Sequence, residues 1–450
     1  MAKASTRSIV KNLIWFYLFL LIFDGALRKW FLVPLADVLL ISRVPLTFLI
    51  YLLALQGGFF VINGFVAGAL LLGVATGAIA LLLHGNVFIA TFGIIANYAS
   101  IPLIFIIPRV FDYYDTEKLG RVLLILVLPM TFIIGLQFYS PQEAWINRGV
   151  GGDEGTGFYG ALDKYRPPGT FSFVTGIAQF YTLAFAYFIA QFINQRTLPH
   201  TFLYAIGAAF VLSIYLSISR LLALSMAVVF AGAMLGLVLN GRRIGNTFKV
   251  IIGLTVAYVI AAQLPIFDSA TEAFFARWEA ATGEEAGGVE EAIIMRTVSG
   301  FTDPFLYIDL TEPMGRGLGI GTNVGAKFAV GRRTFLAGEG EWFRIIAELG
   351  PIFGLGYIIY RIALAISLTS FSYRMLKRGN LLPWLICSSC FLLILNGQWG
   401  QQTTLSFAIL SAGLVFSAGQ MPRQSKQVNR TDQKQNTNEK KVKSHQPQMS

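Results

Sequence analysis

The sequence predicts an all-α, polytopic membrane helical bundle of about twelve transmembrane helices with one large loop on the non-cytoplasmic side. Three observations carry that expectation. The 450 residues are 55% hydrophobic and only 13% charged, with a mean hydropathy of +0.62, outside the range of a soluble domain. Their apolar runs reach the roughly 17–25 residues a helix needs to cross the hydrocarbon core. The alternating ten-residue pattern of an outer-membrane barrel is absent.

The first span, near residues 9–27, follows a basic start of Lys3, Arg7 and Lys11. "MAKASTRSIVKNLIWFYLFLLIF" opens as a secretory signal does, but the run continues into "DGALRKW" with no small-residue cleavage site, so a retained helix is expected. At its end Asp24 and Arg28 have the i,i+4 spacing of a structural pair, and Arg43 in "LLISRVPLTF" is either a partner to them or a snorkelling anchor. Further apolar runs place spans near 36–56, 60–83, 87–108 and 120–139. A long connection, 140–171, precedes spans near 172–192, 201–218, 221–240 and 249–265. A longer one, 266–341, rich in Gly and Glu, precedes the last three, near 342–370, 380–396 and 402–420.

Cys387 and Cys390 in "LICSSCFLLIL" fall inside an apolar run. Zinc needs more ligands than these two and none are near, so they read as small packing residues; neither a metal nor a cofactor is expected. Residues 1–420 form the transmembrane domain, and 421–450 a tail with seven Lys or Arg against Asp432 and Glu439. Nearly free of aliphatic residues, the tail is expected to be disordered and to lie near anionic lipid headgroups rather than nucleic acid.

With a cytoplasmic N-terminus, the inner segments hold Lys3, Arg7 and Lys11; Arg109, Lys118 and Arg121; Arg196; Arg242, Arg243 and Lys249; Arg374, Lys377 and Arg378; then the basic tail. The short outer loops hold almost none apart from Arg28 and Lys29. The positive-inside rule therefore puts both termini in the cytoplasm and both long loops outside it. Long loops in compact folds tend to carry function, so the working face is expected to point away from the cytoplasm, where ATP and sugar nucleotides do not reach.

Charges at membrane depth pair, line a wet cavity or act on a substrate. Arg220 in "YLSISRLLALSMAVV" opens a span on the outer side, where the positive-inside rule gives no reason for an arginine; its fork of donors suits a phosphate, or else a salt bridge to a loop carboxylate such as Asp268. In "KYRPPGTFSFVTG" two prolines and a glycine stiffen the chain ahead of a span and hold Lys164 and Arg166 at the outer mouth, for recognition or as interfacial anchors. "EPMGRGLGIGTNVGAKF" carries Arg316 among alternate glycines; it has the spacing of neither nucleotide-loop motif, and suits a close backbone approach or an amide concavity that holds an anion. In "GEGEWFRIIAELGPIFGL", Glu341, Arg344 and Glu348 recur at i, i+3 and i+7, one helix face that should look into the bundle, while Glu339 precedes the helix at its aqueous mouth.

In motif order these segments resemble the O-antigen ligase and polymerase superfamily of bacterial inner-membrane glycosyltransferases. "EGEWFRIIAELGPIFG" is similar to its H-N-x-x-L-x-x-x-x-E-x-G-x-x-G motif, with Glu348 and Gly350 at the E-x-G, Phe343 at the apolar position and Glu339 where the family has histidine. The histidines here are His84, His200 and His445, and the last glycine pair is spaced GxxxG. "PMGRGLGIG" resembles the Pro-Gly-rich segment, "MRTVSGF" with Arg296 its arginine-containing start, "RPPGTFSF" the R-x-x-G-x-F element, and "RLLAL" the R-x-x-x-L motif.

The resemblance implies a periplasmic active face in the inner membrane and transfer of a glycan from polyprenyl pyrophosphate to a hydroxyl, with inversion and without a metal. Under it Arg220 stabilises the leaving pyrophosphate, Glu339 or Glu341 serves as base or orienting acceptor, and Lys164, Arg166, Arg296, Arg316, Arg344 and Glu348 contact pyrophosphate or glycan. Partners it implies are the polyprenyl-pyrophosphate-linked oligosaccharide, membrane lipid, and flippase and chain-length regulator proteins. A polymerase of repeat units is favoured by Glu339 at the histidine position; a ligase differs only in using lipid A core as acceptor. A secondary transporter would also carry many spans and buried charges, but it predicts internal repeats that the two unlike long loops do not suggest.

Overall fold

Helices make up nearly all the regular structure in the computed structural model, which describes residues 2–153, 159–193, 198–240, 266–283, 289–306, 312–322 and 340–420, with 252, 253, 255, 256, 258, 259 and 262–264. In chain order they are α1 (Ala2–Ala26), continued by a π-helical turn (Leu27–Phe31), α2 (Ala36–Leu40), α3 (Arg43–Gly57), α4 (Gly64–His84), α5 (Val87–Ile94) with a second π turn (Ile95–Ala99), α6 (Ile101–Val110) and α7 (Tyr113–Tyr139). A hairpin follows, β1 (Tyr159–Ala161) and β2 (Lys164–Tyr165), then α8 (Val174–Ile193), α9 (His200–Leu216) and α10 (Arg220–Asn240). Next come α11 (Ile266–Gly283), α12 (Val289–Leu306), α13 (Glu341–Lys377), α14 (Leu382–Asn396) and α15 (Gln402–Ala418).

Six of these helices are long and apolar enough to cross a membrane, and eight spans result if each of two bent pairs is one span. α9, α14 and α15 are shorter apolar helices. The runs at 36–56 and 87–108 are broken rather than straight: the segment 33–40 meets α3 at 46°, and 87–99 meets α6 at 41°. Each break is followed at once by a proline, Pro45 in the first turn of α3 and Pro102 near the start of α6, where the missing N–H breaks no helical hydrogen bond.

Burial sorts the helices into core and rim. α8 is apolar on every face and 89% of its membrane-length window is buried, against 33% for α4 and α10. It packs on α10, α14, α7 and α15, and α15 in turn sits against α14, α6 and α8. Rim helices turn large apolar side chains outward: Leu71, Val74 and Leu82 on α4, and Ile352, Ile359 and Ile366 in a seven-residue repeat on α13. Apolar faces of this extent require an apolar solvent, so the bundle belongs in a bilayer.

The two long connections hold structure that hydropathy does not reveal. Within 140–171, β1 and β2 pair antiparallel with Tyr159 opposite Tyr165, and the turn residues Leu162 and Asp163 take φ of 49° and 55°. Within 266–341 lie the two 18-residue helices α11 and α12, which correct the sequence-based reading of that stretch as loop. Both mix charges with apolar residues, so they fall short of a spanning pattern. The run expected at 249–265 is described at only nine of its residues, and the tail 421–450 lies wholly outside the described residues.

Candidate functional site

α13 is two helices in one. Gly350 has φ 72° and ψ 173°, and Pro351 brings no N–H, so the carbonyls of Ala347 and Glu348 lose their helical donors. The glycine-rich segment replaces them: Arg316 N donates to Ala347 O at 2.9 Å and Gly317 N to Glu348 O at 2.9 Å. Contact is too close for side chains, since a Cβ on Gly315 would lie 2.4 Å from Glu348 O and one on Gly350 2.3 Å from Pro313 O. The segment also supplies an amide concavity, and the anion it holds is the protein's own. Gly321 N donates to Glu348 Oε1 at 2.7 Å and Gly319 N to Oε2 at 3.0 Å.

Above the break, the charged stripe of α13 closes on itself inside the bundle. Arg344 donates from Nε to Glu341 Oε2 (2.9 Å), from Nη2 to Glu341 Oε1 (2.8 Å) and to Asn97 Oδ1 (2.8 Å), and from Nη1 to Glu348 Oε1 (2.9 Å). A second guanidinium, Arg361, arrives from below the break: Nη1 donates to Glu341 Oε1 at 3.0 Å. Its remaining nitrogens cap the end of α14 through the carbonyls of Ile394, Leu393 and Gly397, and its plane lies 4.1 Å from the centroid of Trp399. Trp399 N donates to the same Glu341 oxygen at 3.1 Å. Two carboxylates thus meet two guanidinium groups with every charged atom hydrogen-bonded, the condition under which buried ions are tolerated.

A different character marks the neighbouring helix ends. Arg166 follows β2 directly and Arg220 is the first residue of α10. Burial, then Arg277 and then Arg220 push the Arg166 guanidinium down to about 10. Its Nε is buried without a hydrogen-bond partner. Arg277, on α11, donates from Nη1 to Tyr159 O at 3.0 Å. Lys164 lies 5.1 Å and 5.3 Å from the ring centroids of Phe138 and Tyr139, while the Tyr139 hydroxyl meets Ser269 Oγ, which fastens the hairpin and α11 to the end of α7. This end of the bundle is also that of the ionic quartet, because Thr175 Oγ1 at the start of α8 donates to Gln401 Oε1, two residues from Trp399.

Charges at the end of α1 are taken up structurally. Arg43 Nη2 donates to Asp24 Oδ2 at 3.2 Å and Nη1 to Ser406 Oγ at 2.9 Å, whereas Arg28 Nε stands 3.8 Å from Asp24 Oδ1 and donates instead to Ala36 O at 2.7 Å. The nearer partner of Asp24 is therefore Arg43, across the bent helix pair. Cys387 and Cys390 are buried free thiols in α14.

The expected site residues fall into separate places. Glu341, Arg344 and Glu348 share the quartet; Arg166 and Arg220 share the cationic cluster; Arg316 is exposed and contributes its backbone N–H to the break in α13. Arg296 falls on α12, and Glu339 lies outside the described residues. Sequence reasoning missed Arg361, Asn97, Trp399 and Arg277. Arg361 carried a signal, an arginine in mid-span of "GLGYIIYRIALA"; Arg277 carried none beyond its charge. No protein-family model matches the chain, and no curated protein matches it.

Proposed function

We propose that this chain is a glycosyltransferase of surface-polysaccharide assembly in the bacterial inner membrane. It polymerises polyprenyl-pyrophosphate-linked repeat units on the periplasmic side, within a twelve-span topology whose termini are cytoplasmic. The observation that supports it is the cluster of Arg166 and Arg220, gathered at one end of the bundle beside Arg277, with an orphaned buried N–H on Arg166. Such a cluster suits a multiply charged anion presented at the bilayer edge.

The chemistry follows from that pairing. An acceptor hydroxyl attacks the anomeric carbon of the lipid-linked sugar, the bond from that carbon to the phosphate oxygen breaks, and the electron pair leaves with the polyprenyl pyrophosphate. Guanidinium groups fixed near that oxygen hold its growing charge, an effect worth about 3–4 kcal/mol for one well-placed donor. The hydroxyl proton passes to a carboxylate. Glu341 is saturated by donors from Arg344, Arg361 and Trp399, so Glu339 is the carboxylate assigned here. Glu341, Arg344, Glu348 and Arg361 hold the limb of α13 that follows it.

The test is complementation with glycan-length analysis in a strain deleted for this protein, at matched membrane expression. Deletion should abolish long glycan and accumulate single lipid-linked units, and Arg220→Ala and Glu339→Gln should do the same. Accumulation of long lipid-linked glycan that never reaches the lipid A core would make the protein a ligase instead. Unchanged glycan with altered solute uptake would make it a transporter.

A further inference from the structure

The two bent helix pairs meet at one small cleft. Arg43, Val44 and Phe48 line it from the start of α3, Ser100 from the junction of the second π turn with α6, and Gln402 from the start of α15. The Tyr51 hydroxyl donates to Ala99 O at 2.7 Å and ties the two breaks together. Inside there is room for a single group about the size of a water molecule. Arg43 forms one wall and is only 3% exposed. Its Nη2 and Nη1 donate to Asp24 and Ser406, while Nε is buried with no hydrogen-bond partner among the described residues. Leaving a buried donor of a charged group unpaired is costly, so the cleft calls for an acceptor.

Size and charge narrow what that acceptor is. A phosphate is larger than the room, and Asp24, 3.2 Å from Nη2, already balances the guanidinium, so a neutral oxygen fits where an anion does not. The cleft opens on the flank where Phe48, Leu52 and Leu55 form an exposed apolar stripe of α3, a surface that meets hydrocarbon and not bulk water. The depth agrees with a lipid group. The first span runs over Ala4–Phe31, about 42 Å of helix, and Asp24 lies about 10 Å from its Phe31 end, close to the boundary where ester groups meet the hydrocarbon core. We infer that the cleft takes an ester carbonyl of a membrane glycerolipid, which accepts from Arg43 Nε. The site does not depend on which reaction the protein catalyses.

Native mass spectrometry of the full chain in detergent tests it, with a diacyl phosphatidylcholine and its dialkyl ether analogue of equal chain length in competition. The two probes differ only in their carbonyls. Wild type should retain the diacyl lipid about tenfold over the ether, as expected for one hydrogen bond to a charged donor. Val44→Phe and Ser100→Leu fill the cleft from the two bent pairs without touching the bonds of Arg43 to Asp24 and Ser406, and each should cut the preference below about twofold. Arg43→Lys keeps the charge opposite Asp24 but removes the Nε–H, and should do the same. Equal retention of both lipids by wild type would overturn the inference and leave the cleft to a water molecule. A full preference in any of these variants at the wild-type melting temperature would place the lipid elsewhere and overturn it too.

Discussion

Arg361 Nη1 lies 3.0 Å from Glu341 Oε1, across the break at Gly350, and both side chains are fully buried. The pair joins the upper limb of α13 to its spanning limb where the backbone alone cannot. Removing either partner leaves the other charged and buried. Arg361→Met is expected to cost about 3–5 kcal/mol, read as a large fall in the apparent melting temperature in detergent. The Glu341→Gln/Arg361→Met double variant should be less damaged than the sum of the singles; strict additivity would mean the two do not interact.

The break itself can be tested through its glycine. At Gly350 a Cβ would meet Pro313 O at 2.3 Å, and φ 72° with ψ 173° is a region essentially restricted to glycine that would cost about 1–3 kcal/mol more, so Gly350→Ala should destabilise strongly. Gly356, on the same helix with open space where a side chain would start, is the control. Gly356→Ala is expected to be neutral or to stabilise by up to about 1 kcal/mol. Similar melting temperatures for the two variants would contradict the assignment of strain to residue 350.

Arg166 should trade stability for binding. Its guanidinium is lowered to about 10, so the charged form is disfavoured in the folded chain. For a base shifted downward the penalty is complete below pH 10 and fades as pH rises from about 10 toward the ordinary arginine value. At neutral pH Arg166→Gln should therefore stabilise the ligand-free protein, by an amount on the order of 1 kcal/mol after solvent screening, while weakening anion binding. A lower melting temperature in the ligand-free variant would show that Arg166 holds the fold rather than waits for an anion.

Two carboxylates of one short motif should separate cleanly. Glu341 is enclosed by donors, so Glu341→Gln should lower the melting temperature together with any glycan transfer. Glu339→Gln should abolish transfer with the melting temperature unchanged. Parallel thermal shift and glycan-length measurements decide it, and normal polymer from Glu339→Gln would remove Glu339 from the mechanism.

Part of the candidate site was legible from spacing. The i, i+3, i+7 pattern of Glu341, Arg344 and Glu348 placed them on one face, and Arg344 does bind both carboxylates. Alternate glycines at 315–321 indicated a close approach or an anion-holding concavity; the fold uses both, on Glu348. What spacing could not carry was the far partner. Asn97, Trp399 and Arg361 reach the quartet from other helices or from beyond the break, at separations no local period encodes. α11 and α12 escaped because their charged residues, interspersed among apolar ones, lower the mean hydropathy over a lipid-crossing length.

By itself the sequence determined that this chain is a bundle of apolar helices, because backbone groups in hydrocarbon must bond within their own segment and long apolar runs leave no other choice. Pro45, Pro102 and the Gly350–Pro351 pair suit the breaks beside them, but these runs read as unbroken spans and Pro129 sits inside α7 with no break, so packing rather than proline alone sets where helices break. Only the tertiary structure decided which opposite charges are paired and which like charges are brought near one another. Arg361 and Arg166 are alike as residues; one is set against Glu341 and three carbonyls, the other beside Arg220 and Arg277. That difference is made by the packing of helices distant in the chain, since Coulomb energy depends on separation in space and on excluded water.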